Sequence, residues 1–276
     1  MLKGKKLAVV GVGKLGEAII AGLLKNSELT KSDIAGTVHH ESSLARVNER
    51  LGIKISTDNR SVIKGCDVVI LAVKPQNMDG VLKELKDVLT DKQLIISVAA
   101  SVTTAFMEER LNKSAAVIRA MPNTPSVYNA GMTGLCSGSQ AKHEHVALAQ
   151  AIFECVGKSV FVDESLMDGV TALSASGPAY LYVIIESLAE AGVKLGIPRE
   201  TSTLLAAQTM LGAATMVLES KAHPALLKDM VTTPAGCTID GLMELEEGKL
   251  RVTLIKAVVK AAERARELVN TQSASK

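Results

Sequence analysis

A chain of 276 residues with 47% hydrophobic and 22% charged residues can bury a sizeable core and still carry an ordinary soluble surface. Its 31 basic and 29 acidic residues leave a formal charge of only +2, and aromatics make up 2%. Nucleic acid is therefore excluded as a partner, because both the basic field and the stacking platforms are missing. Cys66, Cys136, Cys155 and Cys237 show no paired metal-type spacing and read as reduced thiols, with no metal site.

The amino end, Met1 to Lys6, is basic, but the apolar run behind it is broken at once by Gly11, Gly13, Lys14 and Gly16. That is too short for a signal sequence. No stretch is expected to approach transmembrane length, so a cytoplasmic chain without a membrane partner is expected. From Lys6 to about Val162, short buried-strand patterns fall at Leu7–Val10, Ile34–Val38, Val68–Val73, Leu94–Val98, Val117–Ala120, Met132–Cys136 and Val160–Val162. Helical periodicity separates them at Leu15–Lys25, Val81–Leu89 and Ala141–Val156. The alternation predicts an α/β domain over residues 1–162, with a doubly wound, mostly parallel sheet covered on both faces.

After Asp163 the strand signal stops, and residues 163–276 read as all-helical. Pro198 fits the first turn of a helix over Arg199–Glu219. Apolar faces such as Leu204, Leu205, Met210 and Leu211 exceed what a small helical domain needs for its own core, and are read as subunit interface in preference to internal packing. Thr271 to Lys276 read as a disordered tail. His143 and His145 lie on a polar helix start and read as solvated, not as metal ligands.

Gly11-Val12-Gly13-Lys14-Leu15-Gly16 follows the first strand and opens a helix. In this G-x-G-x-x-G, the first glycine permits a tight turn, the second lets the backbone approach a pyrophosphate, and the third lets helix close on strand. The helix start then holds the anion. The second strand ends Gly36-Thr37-Val38-His39-His40, with no acid until Glu41 to take a ribose 2′-hydroxyl. Thr37 and His39, helped by Arg46, are candidates to donate to a 2′-phosphate, which favours NADPH; a solvated His39-His40 pair is the alternative. Three more clusters follow strands: Ala72-Val73-Lys74-Pro75, Ser97 to Ser101 with small side chains that leave room for a nicotinamide, and Arg119 to Pro125. Lys74 is either a site residue or a solvated charge.

Two motifs interrupt the helical half. Ser174-Ala175-Ser176-Gly177-Pro178-Ala179-Tyr180 places Gly-Pro and hydroxyls where a helix avoids them, which suggests a close backbone approach. Val231 to Thr238 is a hydroxyl-rich loop before a helix near Ile239. Thr238 is equally an N-cap or a hydroxyl beside a carboxylate-binding helix start.

Together these stretches resemble pyrroline-5-carboxylate reductases along nearly the whole chain. The residues carrying the resemblance are Gly11 to Gly16, Ala72 to Pro75, Met121-Pro122-Asn123-Thr124-Pro125, Ser174 to Tyr180 and Lys228 to Thr238. It implies a Rossmann domain followed by an all-α dimerisation domain, with dimers assembled into a ring. It also implies reduction of L-1-pyrroline-5-carboxylate to L-proline with NADPH, or NADH, as hydride donor. On that resemblance Asn59 and Ala72, Val73, Lys74 and Pro75 contact the cofactor, Ala99 lies near its nicotinamide, and Glu164, Gly236, Cys237 and Thr238 hold substrate. Thr238 is the residue assigned to the ring nitrogen. The chain departs from the family at three positions: Met230 stands where many members have Asn, and Ala235 and Ser101 where many have Gly. A 3-hydroxyacid dehydrogenase shares the layout, but would carry a catalytic Lys in the helix near Ala179–Ala191, where none occurs before Lys194. A non-catalytic NADP-binding protein would not need the Thr238 loop.

Overall fold

The computed structural model describes residues 1–111 and 114–274, with side chains as far as residue 269. Eight strands form one sheet: β1 (Leu7–Val10), β2 (Ile34–Thr37), β3 (Lys54–Ser56), β4 (Val68–Leu71), β5 (Leu94–Ser97), β6 (Ala116–Met121), β7 (Gly131–Ser137) and β8 (Gly157–Phe161). Their order is β3-β2-β1-β4-β5-β6-β7-β8, parallel throughout except for the β6–β7 pair. The helices between them are α1 (Lys14–Asn26), α2 (Leu44–Leu51), α3 (Asn59–Ile63), α4 (Met78–Leu85), α5 (Thr104–Arg110) and α6 (His143–Glu154).

Every residue of β1, β4 and β5 is buried, because helices cover both faces of a parallel sheet and leave no strand face for water. Alternation along β1 divides the core in two. Leu7 and Val9 pack with Ile19, Ile20, Leu23 and Phe153 on one face, whereas Ala8 and Val10 pack with Leu71, Met78, Leu82 and Met107 on the other. The chain leaves β1 toward β2 and β3, then returns to β4 on the opposite side, so β1 and β4 flank a topological switch point. Ligands in such sheets bind outside the carboxyl ends of the strands at that point. The seven expected strands are present. β3 is an addition, carried by the three residues Lys-Ile-Ser.

The chain divides into two compact units, residues 1–176 with 260–276, and Gly177–Val259. In the first, β8 leads to a short 3-10 turn (Glu164–Leu166), helix α7 (Met167–Val170) and a π-helical turn over Thr171–Ala175. In the second, α8 (Gly177–Lys194) packs on α9 (Arg199–Ser220), burying Ala189, Ser202 and Ala206, and α10 (Pro224–Met230), α11 (Cys237–Glu247) and the start of α12 (Leu250–Ala274) follow. Pro198 is the residue before α9, not part of its first turn. Contrary to the sequence expectation, α9 is long and apolar enough to cross a membrane by length and composition, with a mean hydropathy of 1.3 over an 18-residue window. Its charged residues fall only at its two ends, but the Thr and Gln residues between them break up the apolar run in the sequence. Leu204, Leu205, Leu211 and Leu218 on it are exposed. Helix α12 runs to Ala274, so the backbone is helical over most of the expected tail; residues 275 and 276 lie outside the described residues.

Candidate active site

The glycine turn is fixed from three sides. Gly11 has φ +88°, and a Cβ there would lie 2.7 Å from Val73 Cγ1 and 3.1 Å from the Val73 nitrogen, so both conformation and space require glycine. The Val12 N–H donates to the Thr37 carbonyl at 2.6 Å, and the Ala72 N–H donates to the Val10 carbonyl at 2.8 Å. Gly13 is the N-cap of α1, and a Cβ there would meet nothing within 4 Å. The first-turn N–H groups of Lys14 and Leu15 have no intrahelical acceptor and no side-chain cap. An open helix start beside an unobstructed Gly13 backbone fits the diphosphate of a dinucleotide, with the helix dipole favouring the anion.

Thr37, at the end of β2, is 1% exposed. Its hydroxyl accepts from the Gly11 N–H at 3.2 Å and donates to Asn59 Oδ1 at 2.7 Å, while Asn59 Nδ2 donates to Glu84 Oε2 at 2.9 Å. Thr37 and Asn59 therefore brace the glycine turn from beneath, and the hydroxyl proton of Thr37 is used within the fold. His39 is exposed and meets His40 edge to face at 4.6 Å. Arg46 and Arg50 on α2 converge on the buried carboxylate of Glu17, at 3.0 and 2.8 Å. Two guanidinium groups share one carboxylate here, a pairing that the sequence did not display.

At the exit of β4, Lys74 is exposed and precedes Pro75, which opens a 3-10 turn. At the exit of β5, Ala99 is buried, its N–H donating to Ser97 Oγ at 3.2 Å, and Ser101 has φ +62°. A pairing unmarked in the sequence lies just beyond. Glu164 accepts from the Thr104 N–H at 2.8 Å, from Thr104 Oγ1 at 2.5 Å and from Arg119 Nη1 at 3.3 Å. Arg119 is 2% exposed, and its Nε and Nη2 have no partner. Cys136 stands opposite Arg119 in the antiparallel β6–β7 register. Burial, with the charge of Glu164, pushes its thiol up to about 12. All four cysteines are free.

In the helical unit, the N-cap of α11 is Gly236, so Thr238 sits inside the first turn and does not cap it. Thr233 folds against Gly236, where a Cβ would lie 2.5 Å from Thr233 Oγ1. Ala235 takes a left-handed conformation at φ +57°. The N–H groups of Cys237 and Thr238 begin the helix without side-chain caps, and among the described residues the Thr238 hydroxyl has no hydrogen-bond partner. The result is a second helix start open to an anion, with a hydroxyl beside it. Met230, at the end of α10, is 71% exposed.

A mostly parallel sheet with a glycine turn open to a diphosphate, followed by a helical half, defines a nicotinamide-dinucleotide oxidoreductase of the Rossmann class. Family models match residues 6–101 (NADP oxidoreductase coenzyme F420-dependent) and residues 164–268 (pyrroline-5-carboxylate reductase dimerisation). The pyrroline-5-carboxylate reductase of Methanosarcina acetivorans is 42% identical over 97% of this chain and 99% of its own. The solved pyrroline-5-carboxylate reductase of Coxiella burnetii is 40% identical, covers 96% of this chain and 98% of its own, and superposes with a TM-score of 0.90. The Plasmodium falciparum structure with NADP bound is 30% identical, covers 97% and 99%, and superposes at 0.86. The chain belongs to the pyrroline-5-carboxylate reductase family.

Proposed function

We propose that this protein reduces L-1-pyrroline-5-carboxylate to L-proline in the cytoplasm, with NADPH as the preferred hydride donor and NADH as the alternative. The observation that carries this reading is the pair of uncapped helix starts, at α1 and α11, in a chain whose relatives bear that activity in their names. The first suits a diphosphate and the second a small carboxylate.

Gly11 to Gly16 hold the diphosphate, Ala72 to Pro75 line the cofactor path, and Ala99 leaves space for the nicotinamide. Thr37 and Asn59 fix the turn that makes the cradle, while His39 and the outer edge of Arg46 meet the 2′-phosphate. When bound, the reduced nicotinamide supplies the hydride for the C=N carbon. Gly236, Cys237 and Thr238 hold the substrate carboxylate through backbone N–H groups, and the Thr238 hydroxyl orients the ring nitrogen. A protonated imine is already electrophilic, so position and orientation are what the side chains must supply.

The functional division proposed is 1–162 for the dinucleotide and 163–276 for substrate and dimerisation; the dimerisation match over 164–268 supports it. The exposed apolar face of α9 lies inside that match, which supports a second copy of the chain as its cover, with dimers assembled into a ring. The test is NADPH oxidation followed at increasing L-1-pyrroline-5-carboxylate, repeated with NADH. Saturable oxidation with equal proline formation is expected; cofactor binding without oxidation would leave a non-catalytic binding protein.

A further inference from the structure

We propose that Arg119 and Glu164 are positioning residues that hold the 99–104 loop, where the nicotinamide lies, in a conformation it would not keep alone. The inference rests on the cofactor placement above. The loop leaves β5 and must turn into α5 within a few residues. Ser101 does this at φ +62°, a left-handed conformation that an L side chain disfavours. Such strain persists only where the surroundings over-determine it.

The loop is held at both ends. On one side the Ala99 N–H is tied to Ser97 Oγ at 3.2 Å. On the other, Thr104 gives both its N–H and its hydroxyl to Glu164, at 2.8 and 2.5 Å. Glu164 belongs to the segment after β8, sixty residues further along the chain. What fixes Glu164 is Arg119, an arginine at an interior position of β6, flanked along the strand by the apolar Ile118 and Ala120. Its Nε and Nη2 are buried without partners, so among the described residues the bond to Glu164 is the one use of a guanidinium that is costly to bury. A buried charge with one partner is a device for fixing that partner's position. Glu164 thus acts on the cofactor loop through Thr104, three residues beyond the strained Ser101.

The test uses the full chain. Hydrogen exchange of the ligand-free protein is read on a peptide covering residues 98–104, alongside steady-state kinetics, for wild type, Glu164→Gln and Thr104→Val, each also in a Ser101→Gly background. Glu164→Gln leaves Arg119 uncompensated, so Thr104→Val, which removes one hydrogen bond and keeps the shape, carries the test if that protein does not fold. Expected are faster exchange confined to residues 98–104 and a kcat about tenfold lower, at an imine KM within about twofold of wild type. In the Ser101→Gly background the fall shrinks to about threefold or less, because glycine adopts the left-handed conformation without penalty.

Unchanged exchange in folded Thr104→Val, or equal falls in kcat in both backgrounds, would overturn the proposal. So would a higher imine KM at unchanged kcat, which would place Glu164 directly on substrate. A wild type that does not oxidise NADPH with the imine removes the functional reading instead, and the exchange comparison still decides whether the clamp exists.

Discussion

Gly13→Ala separates binding from folding at the glycine turn. Gly13 has φ −100° and ψ −162°, an ordinary extended conformation, and a Cβ there would meet nothing within 4 Å. Glycine exceeds alanine as an N-cap by about 0.5–1 kcal/mol, and stiffening the unfolded chain returns about 0.4–1 kcal/mol, so the two offset and stability should stay within about 0.6 kcal/mol. The new methyl instead faces the space where the diphosphate must approach the α1 N–H groups. Overpacking by one methyl costs about 1–3 kcal/mol. At 1.4 kcal/mol per tenfold, that weakens NADPH by roughly 5- to 150-fold. Gly11→Ala should do the reverse. Its Cβ would lie 2.7 Å from Val73 Cγ1 at φ +88°, so strain and overlap together cost about 2–5 kcal/mol, a Tm lower by roughly 4–20 °C. Calorimetric NADPH titration and thermal unfolding at one protein concentration read both. A Gly13→Ala protein that binds NADPH within about twofold of wild type, or that melts like Gly11→Ala, would refute the reasoning.

Thr238→Ala should lower kcat by about 10- to 100-fold and leave the NADPH dissociation constant unchanged, because its hydroxyl is assigned to substrate and does not cap α11; kinetics and titration on one preparation check this. Arg46→Ala should raise the KM for NADPH more than that for NADH, since only the former carries the 2′-phosphate; equal shifts would assign Arg46 to Glu17 alone. Burial holds Cys136 protonated to about pH 12, whereas an unfolded thiol ionises near 9.0. Between those values the unfolded chain binds fewer protons, so stability is complete below the lower one and falls as pH rises. Urea midpoints measured across that window should fall less steeply for Cys136→Ala than for wild type.

The fold was legible wherever burial writes itself as a run of apolar residues. The strands at Leu7, Val68 and Leu94 are such runs, because both faces of the sheet are covered. β3 was not legible, since Lys54, Ile55 and Ser56 give one apolar residue in three at a sheet edge, where little is buried. The reversed direction of β7 leaves no mark either, because side-chain alternation reads the same both ways. The π-helical turn at Thr171–Ala175 runs into the Ser174–Tyr180 stretch that the sequence marks as an interruption, but its wider winding leaves no mark of its own.

Within the site, the glycine turn could be read because each glycine answers a local demand. The partners of Glu17 and Glu164 could not. Arg46 lies 29 residues from Glu17, and Arg119 lies 45 from Glu164, so each pair exists only once the sheet has set the spacing. Thr37 shows the same limit. Its place at the end of β2 was visible, but the direction of its hydroxyl, toward Asn59, depends on where α3 begins.

This chain passes a hydride from a reduced nicotinamide to the C=N carbon of a small cyclic imino acid. The most direct measurement supplies NADPH deuterated at the transferable C4 position together with unlabelled L-1-pyrroline-5-carboxylate, and locates the label by mass spectrometry and NMR. One deuterium on the proline ring carbon bonded to nitrogen and distal to the carboxylate is the expected result. Proline without label, or label retained on the oxidised cofactor, would contradict direct hydride transfer.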